Sequence, residues 1–321
     1  MLLSSVGRRV ELTQAFRRAA AALDLDLTLV GTDMSTLAPA MHHVDAAELV
    51  PPNRAEGFVD ALHGIVVKHR IDLLIPTIDT ELPKLSEGRD RFAASGCTVV
   101  ISDPRTIGLC FDKMQTYRHL VAQGIDVPQT WLAEEFQAMA DPPFPCFIKP
   151  RTGSAGKGGG KANDPDELAF FLRHAPEPIV QEFLPGVEHT QDVYCGFDGR
   201  IRCIVPRRRI EIRLSEVQKA VIVKDSRLVD ICRRTVETLD GRRGVLNVQC
   251  IVGPDGRVSV LEINPRFGGG SPLAIFAGAD FPRWLMAEWL GQSLQIGQDS
   301  FEDGVTMTRY DQSVFIRKSA P

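Results

Sequence analysis

The chain has 321 residues, with 44% hydrophobic and 24% charged content and a formal net charge of −4. That length exceeds one ordinary core and suits two or three packed subdomains, and the charge balance gives no electrostatic reason to expect nucleic acid. No apolar run approaches the ~18 residues of a membrane span and no signal peptide is recognisable, while seven scattered cysteines without a CxxC pair point to a reducing, cytoplasmic setting.

Residues 1–105 alternate strand and helix. The patterning predicts strands at Leu2–Val6, Leu27–Gly31, Leu73–Pro76 and Thr98–Ile101, the first short enough to suit further residues upstream. Between them it predicts helices at Val10–Leu23, Gly57–Arg70 and Leu82–Ser95. Strands separated by helices imply right-handed crossovers and a parallel sheet, with ligands beyond the carboxyl ends of the strands. Three loops fall there: Ser4 to Arg9, Gly31 to Asp33 and Pro76 to Glu81. Turn chemistry and helix capping fit them equally well. The first has one glycine where a dinucleotide fingerprint needs three, which excludes a nicotinamide site of that kind.

A helix is expected at Met114–Gln123, then a short extended stretch after Val127-Pro128 and a strand at Cys146–Lys149. Five glycines follow among the eleven residues from Arg151 to Lys161. Such a stretch leaves backbone N–H groups free to wrap phosphate oxygens, although a plain linker would look the same. It is not a Walker A loop, because Lys157 precedes Gly158 rather than Ser or Thr. A helix over 164–174 and an apolar strand Pro178–Leu184 lead into Pro185-Gly186. Strands at Gln191–Gly196, Arg200–Val205 and Ala220–Val223 complete a β-rich segment with Arg209, Arg213 and Lys219 on its polar positions, either to reach anions or as a solvated stripe. Helices are expected at Leu228–Leu239 and Pro282–Leu290, with Trp284 and Trp289 in the core. The tail after Gln292 carries no readable motif.

The most informative stretch is Gly244 to Gly270. Strands Val245–Val252 and Arg257–Ile263 flank the turn Gly253-Pro254-Asp255-Gly256. An unbulged hairpin centred on Pro254-Asp255 would set Asn247 opposite Glu262 and Gln249 opposite Val260. Alternation then puts Asn247, Gln249, Glu262 and Asn264 on one oxygen-rich face, with Arg266 close behind. Oxygen donors at that density suit Mg²⁺. A polar solvent face fits the same spacing.

Asn247-Val248-Gln249 followed by Glu262-Ile263-Asn264-Pro265-Arg266 resembles the metal-binding hairpin of the ATP-grasp superfamily. The start of the chain, with GTD and PTIDTEL downstream, looks more loosely like the short carbamoyl-phosphate-synthase-like members. The resemblance implies an α/β fold: an N-terminal Rossmann-like preATP-grasp domain (1–108) and two ATP-grasp subdomains (109–178 and 179–321). It implies ATP with Mg²⁺, or Mn²⁺, as cofactors, and Gln249, Glu262 and Asn264 as metal ligands. It places Lys113 and Lys149 on the phosphates, the lid around Ser154, Gly156, Gly158 and Gly159 over them, and Arg266 on the developing charge. The backbone near Glu182, Phe183 and Leu184 would meet adenine, and Glu188 the ribose. The N-terminal loops would face the acceptor, with Arg8 holding a carboxylate and Asp79 or Glu81 an ammonium; Arg209 and Lys219 are further candidates. The implied activity joins a small-molecule carboxylate to an amine through an acylphosphate. Phosphorylation of bicarbonate or carbamate, or non-catalytic ATP sensing, are the alternatives. No nucleic acid or membrane partner is expected, and a homodimer is compatible with the sequence.

Overall fold

The computed structural model describes residues 1–153, 158–213, 216–297 and 300–316. The first unit runs β1 (Leu2–Ser4), α1 (Val10–Ala22), β2 (Val30–Asp33), β3 (Ala46–Leu49), α2 (Phe58–His69), β4 (Leu73–Pro76), α3 (Leu82–Glu87), α4 (Arg89–Ala94) and β5 (Thr98–Val99). Its parallel sheet has the order β3-β2-β1-β4-β5. The chain winds outward from β1 and then returns to β4 beside it, so the loops after β1 and β4 lie together at a topological switch point. Fully buried runs at β1 and β4 make this the centre of the sheet.

The second unit contains α5 (Pro104–Phe111), α6 (Lys113–Ala122), β6 (Thr130–Leu132), α7 (Ala133–Gln137), β7 (Cys146–Pro150), β8 (Gly160–Ala162), α8 (Pro165–His174) and β9 (Pro178–Glu182). Its antiparallel sheet has the order β6-β9-β7-β8. Strand β9 therefore hydrogen-bonds within this sheet, although the sequence sets it at the start of the next subdomain. The third unit comprises β10 (Val187–Cys195), β11 (Ile201–Arg213), β12 (Glu216–Ile222), α9 (Ser226–Glu237), β13 (Gly244–Val252), β14 (Val258–Asn264), α10 (Ser271–Phe276), α11 (Phe281–Trp289) and β15 (Thr306–Thr308). Its sheet order is β14-β13-β10-β11-β12-β15.

One face of that six-stranded sheet changes character along its length. Tyr194, Val205 and Val245 are buried in a core shared with Phe16, Phe267, Phe281 and Leu285, which ties the sheet to α1 and α11. Two residues further along the same strands stand Asp192, Arg207 and Asn247, which alternation keeps on the same face. The opposite face, with Val193, Ile204, Leu246 and Val248, packs under α9.

Several elements depart from the sequence expectation. The second strand begins at Val30 and not Leu27, and the helix expected over Leu82–Ser95 is two, divided at Gly88. Strand β3 and helix α5 were not expected; Ala46–Leu49 alternates half-buried and exposed residues, as an edge strand does. Part of the unread tail forms β15, which pairs with β12. Trp284 is buried, but Trp289 stays 36% exposed and is not a core residue.

The hairpin register also differs. Asn247 stands opposite Asn264 and Gln249 opposite Glu262. Gly253 N donates to Arg257 O and Gly256 N to Gly253 O, so the turn holds three residues, with Gly256 left-handed at φ +81°. A bulge at Leu261 then adds a second unpaired residue. Each one-residue slip turns the side chains over, and two restore them. The four polar residues consequently keep a common face in a register the sequence did not indicate.

Candidate active site

A cavity of about 760 Å³ lies where loops of the parallel sheet, strands β7 and β9, and the face of the six-stranded sheet meet. Asn247, Gln249, Glu262, Asn264 and Arg266 line it, as do Lys113, Lys149, Glu182, Phe183, Leu184, Glu188, Arg8, Asp79 and Arg209. Glu262 Oε1 accepts from Gln249 Nε2 at 2.6 Å and from Asn264 Nδ2 at 3.0 Å. Burial pushes the Glu262 carboxyl up, but Lys113 and Lys149 outweigh it and hold the group below the ordinary carboxylate range. The base of the cavity thus keeps an ionised carboxylate between two amides.

Lys149 is buried at the end of β7, and its ammonium donates to Gln181 Oε1 at 2.9 Å and to Leu261 O at 3.4 Å. The bulge residue of the hairpin therefore supplies a carbonyl to this lysine. Burial, aided by Lys113, lowers the Lys149 pKa to about 8. Lys113 opens α6, where Asp112 caps the helix by accepting from Met114 N and Gln115 N. Arg151 clamps the Asp112 carboxylate from Nε (3.0 and 2.9 Å) and Nη2 (2.6 Å), and Lys113 Nζ donates to Gly153 O at 2.9 Å. Neither this cap nor its distant arginine was read from the sequence.

At the switch point, Arg266 Nη2 donates to Asp79 Oδ2 at 2.6 Å. Arg9, and not Arg8, turns inward: its Nη2 donates to Thr77 O at 3.1 Å, and burial next to Arg266 lowers its pKa to about 10. Arg8 is 71% exposed at the rim, 3.8 Å from Asp311. Glu81 is fully buried and does not line the cavity; it accepts from Thr77 N (2.8 Å), Ile78 N (3.2 Å) and Ser5 Oγ (2.7 Å), which fixes the two loops together. Burial raises its pKa. Lys219 likewise lies off the cavity and pairs with Glu211 at 2.6 Å. Arg209 bridges Glu188 (2.8 Å) and Gln249 (3.1 Å).

Of the expected lid, Ser154 and Gly156 lie outside the described residues. Gly158 and Gly159 do not line the cavity. A Cβ on Gly159 would come 2.3 Å from Ile148 O of β7, and one on Gly158, left-handed at φ +81°, would come 2.6 Å from His174 O at the end of α8, so close backbone packing explains both glycines.

Oxygen donors of the Gln249, Glu262 and Asn264 type fit a hard cation such as Mg²⁺ better than a soft metal. No group of three or more His, Cys, Asp or Glu suited to a metal occurs among the described residues. With two ammonium groups bearing on Glu262, the donor set fits a cation that arrives with phosphate oxygens rather than alone.

Residues 174–312 match the family described as "ATP-grasp in the biosynthetic pathway with Ter operon", and residues 1–100 match the "PylC-like, N-terminal domain". The family match places residues 174–312 with the ATP-grasp proteins. It is similar to formate-dependent phosphoribosylglycinamide formyltransferase of Mycolicibacterium smegmatis, 33% identical over 47% of this chain and 38% of that one. It is also similar to the carbamoyl phosphate synthase large chain of a Thermotoga species, 22% identical over 97% of this chain and 30% of that one. The match spans well under half the length of each of these two relatives. Among solved structures, biotin carboxylase from Campylobacter jejuni superposes with a TM-score of 0.76 at 13% identity, covering 94% of this chain and 73% of that one. The likeness is to an α/β fold with a parallel-sheet domain ahead of an ATP-grasp core. No helix among the described residues is long and apolar enough to cross a membrane.

Proposed function

We propose that the chain is an ATP-dependent ligase that activates a small-molecule carboxylate as an acylphosphate and joins it to an amine. The observation that carries this reading is the ionised Glu262, set between Gln249 and Asn264 and faced by Lys113 and Lys149 in one cavity. Such a site neutralises a polyphosphate from both sides. In this reading Gln249, Glu262 and Asn264 hold Mg²⁺ or Mn²⁺, which when bound neutralises phosphate oxygens. Lys113 and Lys149 hold phosphates as point charges. Glu182, Phe183 and Leu184 border the adenine, and Glu188 meets the ribose.

The carboxylate oxygen attacks the γ-phosphorus as its bond to the β-phosphate oxygen breaks, releasing ADP. The amine nitrogen then attacks the acyl carbon, the bond from that carbon to the phosphate oxygen breaks, and the amine proton passes to solvent. Arg266 faces the negative charge that develops, held in place by Asp79. Little covalent chemistry falls to the protein; positioning and charge carry it.

The match along 97% of this chain to a carbamoyl phosphate synthase favours a second reading, in which bicarbonate or carbamate is the phosphoryl acceptor. A phosphate-release screen with MgATP across carboxylates, amines and bicarbonate separates the two. Release that needs both an organic acid and an amine supports the ligase. Release with bicarbonate alone supports the second reading.

A further inference from the structure

Arg207 lies on the cavity-lining face of the six-stranded sheet, its side chain 4% exposed. Its Nε donates to Asp192 Oδ2 at 2.9 Å, while Asp192 Oδ1 accepts from Asn247 (2.7 Å) and Ser271 (2.9 Å). That network fixes the guanidinium through one nitrogen. Its two terminal nitrogens have no partner among the described residues and are not sealed from the cavity.

Gly270 leaves the room this fork occupies. A Cβ there would lie 2.6, 2.7 and 2.9 Å from Cζ, Nη1 and Nη2 of Arg207. The neighbouring Gly269 faces Arg9, whose Nη1 would lie 3.9 Å from a Cβ at that position. Two guanidinium groups with unused N–H donors, Arg207 buried and Arg9 half-buried, thus flank one glycine turn. Buried donors left unpaired are costly, and a planar fork matches two carboxylate oxygens.

This spot is separate from the phosphate end. Arg207 stands in the cross-strand row Arg207–Thr190–Gln249–Glu262, three strands from Glu262. At ~4.8 Å per strand their Cα atoms are ~14 Å apart. Lys113, Lys149 and Arg266 are the cations that act on Glu262; Arg207 is not among them.

We propose that Arg207 and Arg9 bind a carboxylate of the organic substrate that takes no part in the reaction, with Gly269-Gly270 shaping the pocket. The inference rests on the ligase reading of this cavity and adds a substrate class: an amino acid or a dicarboxylate, rather than a simple acid or amine.

The test is calorimetric titration of the full chain, with and without MgAMP-PNP, using probes paired to differ by one carboxylate. The pairs are L-glutamate against 4-aminobutyrate, glutarate against butyrate, and L-alanine against ethylamine; inorganic phosphate is the control anion. In at least one pair the carboxylate-bearing member should bind about tenfold more tightly or better. Arg207→Lys, which keeps a charge for Asp192, should erase that difference and leave MgAMP-PNP affinity within about twofold. Gly270→Ala, at a backbone φ of −92° open to alanine, should erase it too by displacing the fork. Equal binding within every pair, or no binding by any carboxylate probe, overturns the proposal. So does a loss of MgAMP-PNP affinity in Arg207→Lys with the pair difference intact. Phosphate that binds as tightly as glutarate and is lost in Arg207→Lys assigns the pocket to phosphate instead, and also overturns it. Failure of MgAMP-PNP to bind at all counts against the ligase reading, while the nucleotide-free titrations still decide the arginine pocket.

Discussion

Arg266 Nη2 donates to Asp79 Oδ2 at 2.6 Å across 187 positions of sequence, joining the end of the polar hairpin to the loop after β4. Both side chains are nearly buried, at 13% and 10% exposure. Removing one partner of such a pair leaves the other charged and desolvated. Asp79→Asn should therefore lower unfolding free energy by about 2–4 kcal/mol, measured by urea titration. A double-mutant cycle with Arg266→Gln should recover much of that loss. Additive effects in the cycle would mean that the two side chains are not coupled.

Glu262→Gln keeps side-chain volume and removes the negative charge that faces Lys113 and Lys149. Mg²⁺-dependent ATP turnover should fall by about 10²–10³-fold with circular dichroism unchanged. Comparable turnover in the variant would take the hairpin out of the chemistry.

Lys149 titrates at about 8 in the folded chain against 10.5 ordinarily. Between those values the unfolded chain binds the proton more tightly, so stability should rise with pH across that window, the cost of burying the charged amine being full below it. Nucleotide binding runs the other way, because phosphates call for the ammonium form. MgADP affinity should weaken as pH rises through about 8, with net proton uptake in buffers of differing ionisation enthalpy. Lys149→Arg should flatten the profile; an unchanged slope in that variant would point to another group.

Gly159→Ala places a methyl 2.3 Å from Ile148 O and 3.0 Å from Lys149 Cα. The clash is with backbone, which cannot rotate away, and should cost about 1–3 kcal/mol in unfolding free energy. Gly57→Ala, with nothing within 4 Å of the added carbon, is the control and should be nearly neutral. Equal unfolding midpoints for the two variants would show that the stretch yields.

Local chemistry made much of this protein legible in the sequence. The period of the apolar residues placed most helices and strands. The run from Asn247 to Arg266 marked the oxygen-rich face, because alternation along a strand depends on neighbours alone. Tertiary structure decided which polar residues meet. The hairpin register depended on a three-residue turn and a bulge at Leu261, whose carbonyl faces a lysine more than a hundred positions away. Arg9 turned inward where Arg8 turned out, since the helix that starts at Val10 sets their directions and the β4 loop supplies the carbonyl for one of them. Glu81 left the candidate substrate site to tie loops together, and Arg207 entered the cavity. Local pattern could not reveal these pairings, because each depends on a partner brought near only by the packing of the three sheets.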